Sequence, residues 1–291
     1  MSTIVGGFAA TPRPVHACAT CTAGDPTLAQ MGQEAPFAGR VRLAGSIRHA
    51  SYRIGRPGID RLDVREQRLD LSASWSPWSP LTVSLNVPLV RRRVDYVHLA
   101  RDETYGPGDL DLRMRLVVFR DRSFDPDHLV SVVAGTELPT TPRLRDGQGR
   151  VLPEDAHPGT SSWDPYLGVS YVHLRERWSF FGSATGQWFG EGIGGLQLGP
   201  SLRLAAQGQW QPDPRVGVQL GGLLRVDDAP RLDGRSLPEG AGAILFVSPG
   251  LVASPATDLV LSAVVRIPIV QALSGAHREG VVAELGVAVD L

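Results

Sequence analysis

The sequence predicts an all-β protein, a twelve-stranded antiparallel up-and-down transmembrane β-barrel, and three observations carry that prediction. Apolar and polar residues alternate at period two in segment after segment, which puts the apolar side chains on one face of a strand. Several of these segments exceed the roughly 9 to 11 residues that a tilted strand needs to cross a bilayer, whereas strands of soluble sandwiches average about five or six. Glycine, at 33, and proline, at 23, are far above ordinary usage for a chain of 291 residues, so turns are favoured over long helices.

Strands are expected near residues 39–55, 63–76, 80–93, 108–120, 128–138, 162–175, 178–190, 196–210, 215–227, 242–254, 258–271 and 280–291. In the second, Leu69, Leu71, Ala73 and Trp75 alternate with Arg68, Asp70, Ser72 and Ser74. In the third, Leu81, Val83, Leu85, Val87 and Leu89 oppose Thr82, Ser84 and Asn86. The fourth sets Leu110, Leu112, Met114 and Leu116 against Asp109, Asp111, Arg113 and Arg115. Further along, Leu196, Leu198, Leu202, Leu204 and Trp210 oppose Gln197, Arg203, Gln207 and Gln209. Val216, Val218, Leu220, Leu224 and Val226 then oppose Gln219, Arg225 and Asp227. The last two strands set Leu259, Leu261, Val265, Ile267 and Ile269 against Ser262 and Arg266, and Val281, Leu285, Val287, Val289 and Leu291 against Glu284 and Asp290.

The strand number is even, and the connections alternate in length. Those after even-numbered strands are short: Pro77-Trp78-Ser79, the stretch 121–127, Glu176-Arg177, 211–214 and 255–257. Those after odd-numbered strands are mostly longer, including 94–107, 139–161 and 228–241, although the connection at 191–195 is brief. Short turns at one rim and long loops at the other characterise outer-membrane barrels. Aromatic residues gather near the strand ends (Trp75, Trp78, Tyr96, Trp163, Tyr166, Trp178, Trp188, Phe189, Trp210), where a membrane barrel carries its interfacial girdles. Two uncharged runs, 71–90 and 240–257, contain Pro77, Pro80 and Pro88, and Pro249 and Pro255, so they do not read as membrane helices. A soluble β-rich binding or structural protein, free or periplasmic, shares the alternation and is the alternative reading.

Residues 1–36 are expected to be an export remnant and a short periplasmic or plug segment, and residues 37–291 the barrel. Met1 to Ala10 lacks a positive n-region and a long apolar stretch, while Val15-His16-Ala17 resembles the end of a cleavage site, so the true export signal is expected to begin upstream. Cys18 and Cys21 are spaced C-x-x-C but followed by Thr22, which excludes c-type haem attachment. The pair reads as a disulfide or an unpaired terminal motif of an exported protein in preference to a metal site, because even with His16 it falls short of four ligands.

Composition and motifs exclude other functions. The 29 basic residues are all arginine, and against 30 acidic ones they leave a net charge of -1, which offers nucleic acid no general attraction. His173 and Ser183 fall on neighbouring strands, yet no third orienting residue and no G-x-S-x-G elbow accompanies them. His49, His98, His128, His157 and His277 are scattered without metal-ligand spacing, and the glycines at 190, 192, 194 and 195 do not open a helix as phosphate loops do. Neither catalysis, nor a metal, nor a cofactor is expected.

Three short motifs carry a family resemblance: Gly108-Asp109-Leu110-Asp111-Leu112 opening a strand, Ala134-Gly135-Thr136-Glu137-Leu138-Pro139-Thr140 closing the next, and Gly159-Thr160-Ser161-Ser162-Trp163-Asp164 opening another. Together with the lead-in from Cys18 to Leu28, they resemble the meta-pathway phenol-degradation outer-membrane family over residues 18–291, and their order and spacing match as well. The resemblance implies an outer-membrane barrel that passes or binds small organic molecules. The chain departs from that pattern in lacking a clear signal peptide and in ending on Leu291 instead of an aromatic residue.

If the apolar parity faces lipid, the polar parity must line the lumen, because charge on the lipid side is costly at mid-membrane. The candidate lumen residues are therefore Arg68, Asp70, Asp109, Asp111, Arg113, Arg115, Arg203, Gln207, Gln219, Arg225, Arg266 and Glu284, serving as a passage or pairing across the interior to fill it. Twelve strands predict a narrow or plugged passage. Arg91-Arg92-Arg93, at a strand end, is read as a solvated loop base or a lipopolysaccharide phosphate contact in preference to an anion-steering patch. The expected function is passive passage or binding of a small, hydrophobic or aromatic solute in the bacterial outer membrane, with lipid, lipopolysaccharide and that solute as partners.

Overall fold

A computed structural model describes residues 38–55, 61–96, 101–123, 125–153, 156–237 and 241–291. The chain forms a closed antiparallel barrel of twelve strands: β1 (Val41–Ile54), β2 (Leu62–Trp78), β3 (Leu81–Tyr96), β4 in two segments (Arg101–Pro107 and Leu110–Arg120), β5 (His128–Leu138), β6 (Asp164–Arg175), β7 (Trp178–Gln187), β8 (Ser201–Asp213), β9 (Val216–Asp227), β10 (Gly242–Ala256), β11 (Leu259–Leu273) and β12 (Val282–Asp290). Each strand pairs with its sequence neighbour. The seam between β12 and β1 closes the ring, with Arg42 opposite Asp290 and His49 opposite Ala283. Closure pairs both sides of every barrel strand, so no sheet edge is left to the lipid.

The turns after β2, β6, β8 and β10 are two residues long and share one rim with the end of β12. The opposite rim carries the long connections. By the rule that outer-membrane barrels keep short turns inside the cell envelope, the first rim is periplasmic and the second extracellular. Cys18, Cys21 and the segment 1–36 lie outside the described residues.

Alternation decides what faces where. Val64, Val90 and Val94 are buried inside, while the apolar side chains of the other parity project outward, Ile47 at 61 % exposure and Leu285 at 64 %. A water-soluble barrel would invert this arrangement, so the soluble alternative is set aside by the apolar exterior. Trp178 and Trp188 stand ten residues apart at the two ends of β7, both about half exposed. At roughly 3.3 Å per residue and a tilt near 40°, that separation projects to about 25 Å, the height of the lipid-facing band of such barrels.

The structure departs from the sequence reading in four places. The expected long loop 94–107 is mostly strand: β3 runs to Tyr96 and the first segment of β4 begins at Arg101, forming a hairpin that rises above the rim. Its outward side chains, Arg91, Arg93, Arg101 and Glu103 among them, are charged instead of apolar because they stand above the lipid, so the apolar alternation stops while the strand continues. Leu196 is not the start of β8 but pairs with Leu232 in a small three-stranded sheet of rim loops. Tyr96 and Tyr166 point inward and do not join the aromatic girdle. Finally, β4 is interrupted at Gly108-Asp109, and the inward parity changes there from Thr104 and Gly106 to Asp111, Arg113 and Arg115. One extra residue in a strand produces that switch.

Candidate functional site

The interior is layered along the barrel axis. At the periplasmic end it is filled. Arg42, 1 % exposed, places Nη2 2.6 Å from the Asp290 carboxylate, and Arg40 reaches the same carboxylate at 2.8 Å. Beside this cluster apolar side chains pack inward, Leu129, Val172 and Phe181 on one wall and Val252, Val260 and Ala288 on the other, among the buried polar side chains of Ser131, Ser170, Gln209 and Ser254. Above this layer lies a cavity of about 560 Å³. Its lining runs from Thr82, next to the periplasmic turn between β2 and β3, to Ile54 and His277 at the opposite rim.

Seven arginines and six carboxylates line the cavity among the described residues. Many of the charges are paired. Arg68 donates to Asp70 at 2.8 Å, and Asn86 donates to the same carboxylate at 2.8 Å. Arg113 pairs with Asp111 at 2.9 Å, Arg266 with Glu284 at 2.6 Å, and Arg225 with both Asp227 and Glu279. Glu66 is bridged by Arg48 at 3.0 Å and by Arg92 at 2.6 Å. A guanidinium held by a carboxylate satisfies its charge without water, so these ladders stiffen the wall while still presenting donors to the lumen.

Glycine shapes the lumen where large side chains lie flat. The Tyr166 ring rests over Gly135, where a Cβ would come within 2.4 Å of the ring. Tyr166 therefore lies along the wall and donates its hydroxyl to Asp111 at 2.7 Å while accepting from Arg113 at 2.9 Å. Gln219 lies over Gly250 in the same way, its amide 2.4 Å from where a Cβ would sit.

The extracellular end is closed from above by the connection between β5 and β6. Ala156 packs inside the barrel against Val64 and Val94, with Leu152 beside it. Thr104 donates to the Ala156 carbonyl at 2.5 Å, Arg92 donates to the His157 carbonyl at 2.5 Å, and the buried His157 ring accepts from the Leu144 amide at 3.1 Å. The base of this loop is held by Asp109. Its carboxylate accepts from the amides of Thr140 (3.0 Å), Thr141 (3.0 Å) and Ser161 (2.8 Å) and from the Thr160 hydroxyl (3.1 Å). Asp164 extends the clamp, accepting from Thr160, Ser162 and the Gly190 amide.

Of the twelve residues picked out by alternation, Arg68, Asp70, Asp111, Arg113, Arg115, Arg203, Arg225, Arg266 and Glu284 lie in the cavity lining. Asp109 does not, because the loop donors take its carboxylate. Gln207 and Gln219 bond to each other at 2.6 Å and lie outside the lining. Arg48, Glu66, Glu137 and Tyr166 were missed by the sequence reading, although the same inward parity contains all four. His173 faces outward in a stack with His128 and Phe180, whereas Ser183 lies on the inward parity of β7, so the two cannot form a hydrolase pair.

No known family pattern matches this sequence, and no curated protein matches it. Solved structures do. An outer membrane channel from Pseudomonas putida F1 superposes with a TM-score of 0.70 at 18 % identity, covering 90 % of this chain and 99 % of that one. The transport unit of the autotransporter AIDA-I from Escherichia coli gives 0.51 at 8 % identity over 94 % and 96 %. The translocator domain of the autotransporter NalP from Neisseria meningitidis gives 0.50 at 12 % over 87 % and 89 %. At these identities the likeness is one of fold. Together with the lipid-facing exterior, that fold places the protein in the bacterial outer membrane.

Proposed function

We propose that the protein is an outer-membrane channel through which a small solute passes passively. The observation that carries this reading is the charge-lined cavity reaching from Thr82 near one rim to Ile54 and His277 near the other inside a closed, lipid-faced wall. A barrel serving only as an anchor would gain nothing from keeping such a volume open between paired charges. The narrowness of a twelve-stranded barrel and the inward loop restrict the passage to small molecules.

The solute class we propose is a small aromatic compound, as the resemblance to the phenol-degradation family implies. Tyr52, Tyr166 and Phe246 share the lining with arginines, so ring faces and guanidiniums are both available to a phenol or an aromatic acid. The lining residues Arg68, Asp70, Asp111, Arg113, Arg115, Arg203, Arg225, Arg266 and Glu284 are proposed to orient it. The test is flux into proteoliposomes holding the folded full chain. Entry of phenol-sized aromatic acids above that of equally small sugars supports the assignment. Equal entry of both redirects it to a non-selective pore, and entry no faster than through protein-free vesicles overturns the channel itself.

A further inference from the structure

The outer surface of β1 to β4 carries a site that the passage does not use. Register aligns its outward side chains in rows along the hydrogen-bonding direction. Ile47, Leu69, Leu89 and Pro107 form the last apolar row. Towards the extracellular rim the next row is His49, Gln67, Arg91 and Tyr105, and the one after it is Ser51, Arg65, Arg93 and Glu103. The change from hydrocarbon-compatible to polar therefore takes one step, and Tyr105, 69 % exposed, marks it as an aromatic at the headgroup level.

Arginine is concentrated at that level. Arg65 stands directly opposite Arg93, an arrangement of like charges that destabilises a strand pair unless something anionic lies between them. Arg93 leans away to Asp95 at 3.2 Å, and Arg91 pairs with Glu103 at 2.5 Å. Arg65 is exposed, and no carboxylate among the described residues pairs with it. Outward positions at the same rim of β5 to β11 carry no arginine among the described residues, so the basic surface belongs to one side of the barrel.

A guanidinium cluster just above a hydrocarbon belt matches a phosphate carried on an acylated headgroup: the acyl chains pack below on Leu69 and Leu89 while the phosphate meets the arginines. We propose that the outer face of β2 and β3, centred on Arg65, Arg91 and Arg93, binds the phosphate of a phosphorylated glycolipid of the outer leaflet. Arg65 is the residue on which the site depends, since the other two have partners within the protein.

Native mass spectrometry of the full chain in detergent tests this, with phosphorylated lipid A, the same lipid stripped of its phosphates, and inorganic phosphate as probes. The wild type should retain the phosphorylated lipid and bind the stripped one at least tenfold more weakly. R65Q breaks no ion pair, so the barrel should still shift mobility on heating while retention falls about tenfold. R65Q/R93Q should abolish it, and R235Q, in a rim loop on another side, should change nothing. Equal retention of the stripped lipid, undiminished retention by the folded R65Q protein, or displacement by millimolar inorganic phosphate would each overturn the proposal.

Discussion

Single residues on adjacent positions of β4 do opposite work. Leu112 projects into the lipid and Asp111 into the lumen, so Leu112→Arg should block barrel assembly while Asp111→Asn is tolerated, because a cation at mid-membrane costs about 2–4 kcal/mol on the lipid face. Heat-modifiability on an unheated gel reads both outcomes. Gly135 supplies a second contrast. Gly135→Ala must displace the Tyr166 ring, which a Cβ would approach to 2.4 Å, and overpacking of that kind costs about 1–3 kcal/mol. Tyr166→Phe removes only the hydroxyl contact and Tyr166→Ser removes the ring, yet the new methyl still meets the Leu112 carbonyl at 2.6 Å, so in urea unfolding from lipid Gly135→Ala with Tyr166→Ser should recover only part of the loss. Arg266 and Glu284 form a pair almost fully shielded from solvent, at 8 % and 6 % exposure, so Arg266→Met strands a carboxylate and should destabilise by about 3–5 kcal/mol.

At the scale of elements, the inward connection between β5 and β6 is the part most open to manipulation. Asp109 holds its base through four donors, and Asp109→Ala removes the acceptor for all of them. The expected outcome in planar bilayers is a larger and noisier single-channel conductance, with the barrel intact. Unchanged conductance would mean that Ala156 and His157 alone keep the loop seated. The tip of the same loop is set by Asp146, whose carboxylate is held below the usual range, chiefly by the Arg150 amide and then by the Arg150 side chain. A lowered value means that the carboxylate steadies the turn above the ordinary aspartate range and releases it as acid protonates it, so proteolysis at the tip should appear only on acidification.

How legible these elements were in the sequence follows from what each has to face. Strands with lipid on one side and polar residues on the other, such as β9 and β11, show their limits to within two residues because both environments select residue type. The β3–β4 hairpin above the lipid meets water outside and loop inside, so its period is written in charges and escaped notice. Asp109 looked like Asp111 because both carry the same charge near the same strand start; only the one-residue irregularity at Gly108 separates their surroundings. Tyr166 stands near a strand end as a girdle aromatic would, but its parity with Gly168 and Ser170 points it inward.

For the whole molecule, the absence of lysine acquires a meaning from the lining described above. Every permanent cation of the cavity is a guanidinium, and arginine keeps its charge at any pH a membrane protein survives. The positive half of the lining is thus fixed in place and in charge, whereas lysines at the same positions would shed protons readily where burial deepens. Replacing a lining arginine by lysine, as in Arg203→Lys, should therefore give the pore an ion preference that drifts in alkaline solution more than that of the wild type, read as the reversal potential across a salt gradient.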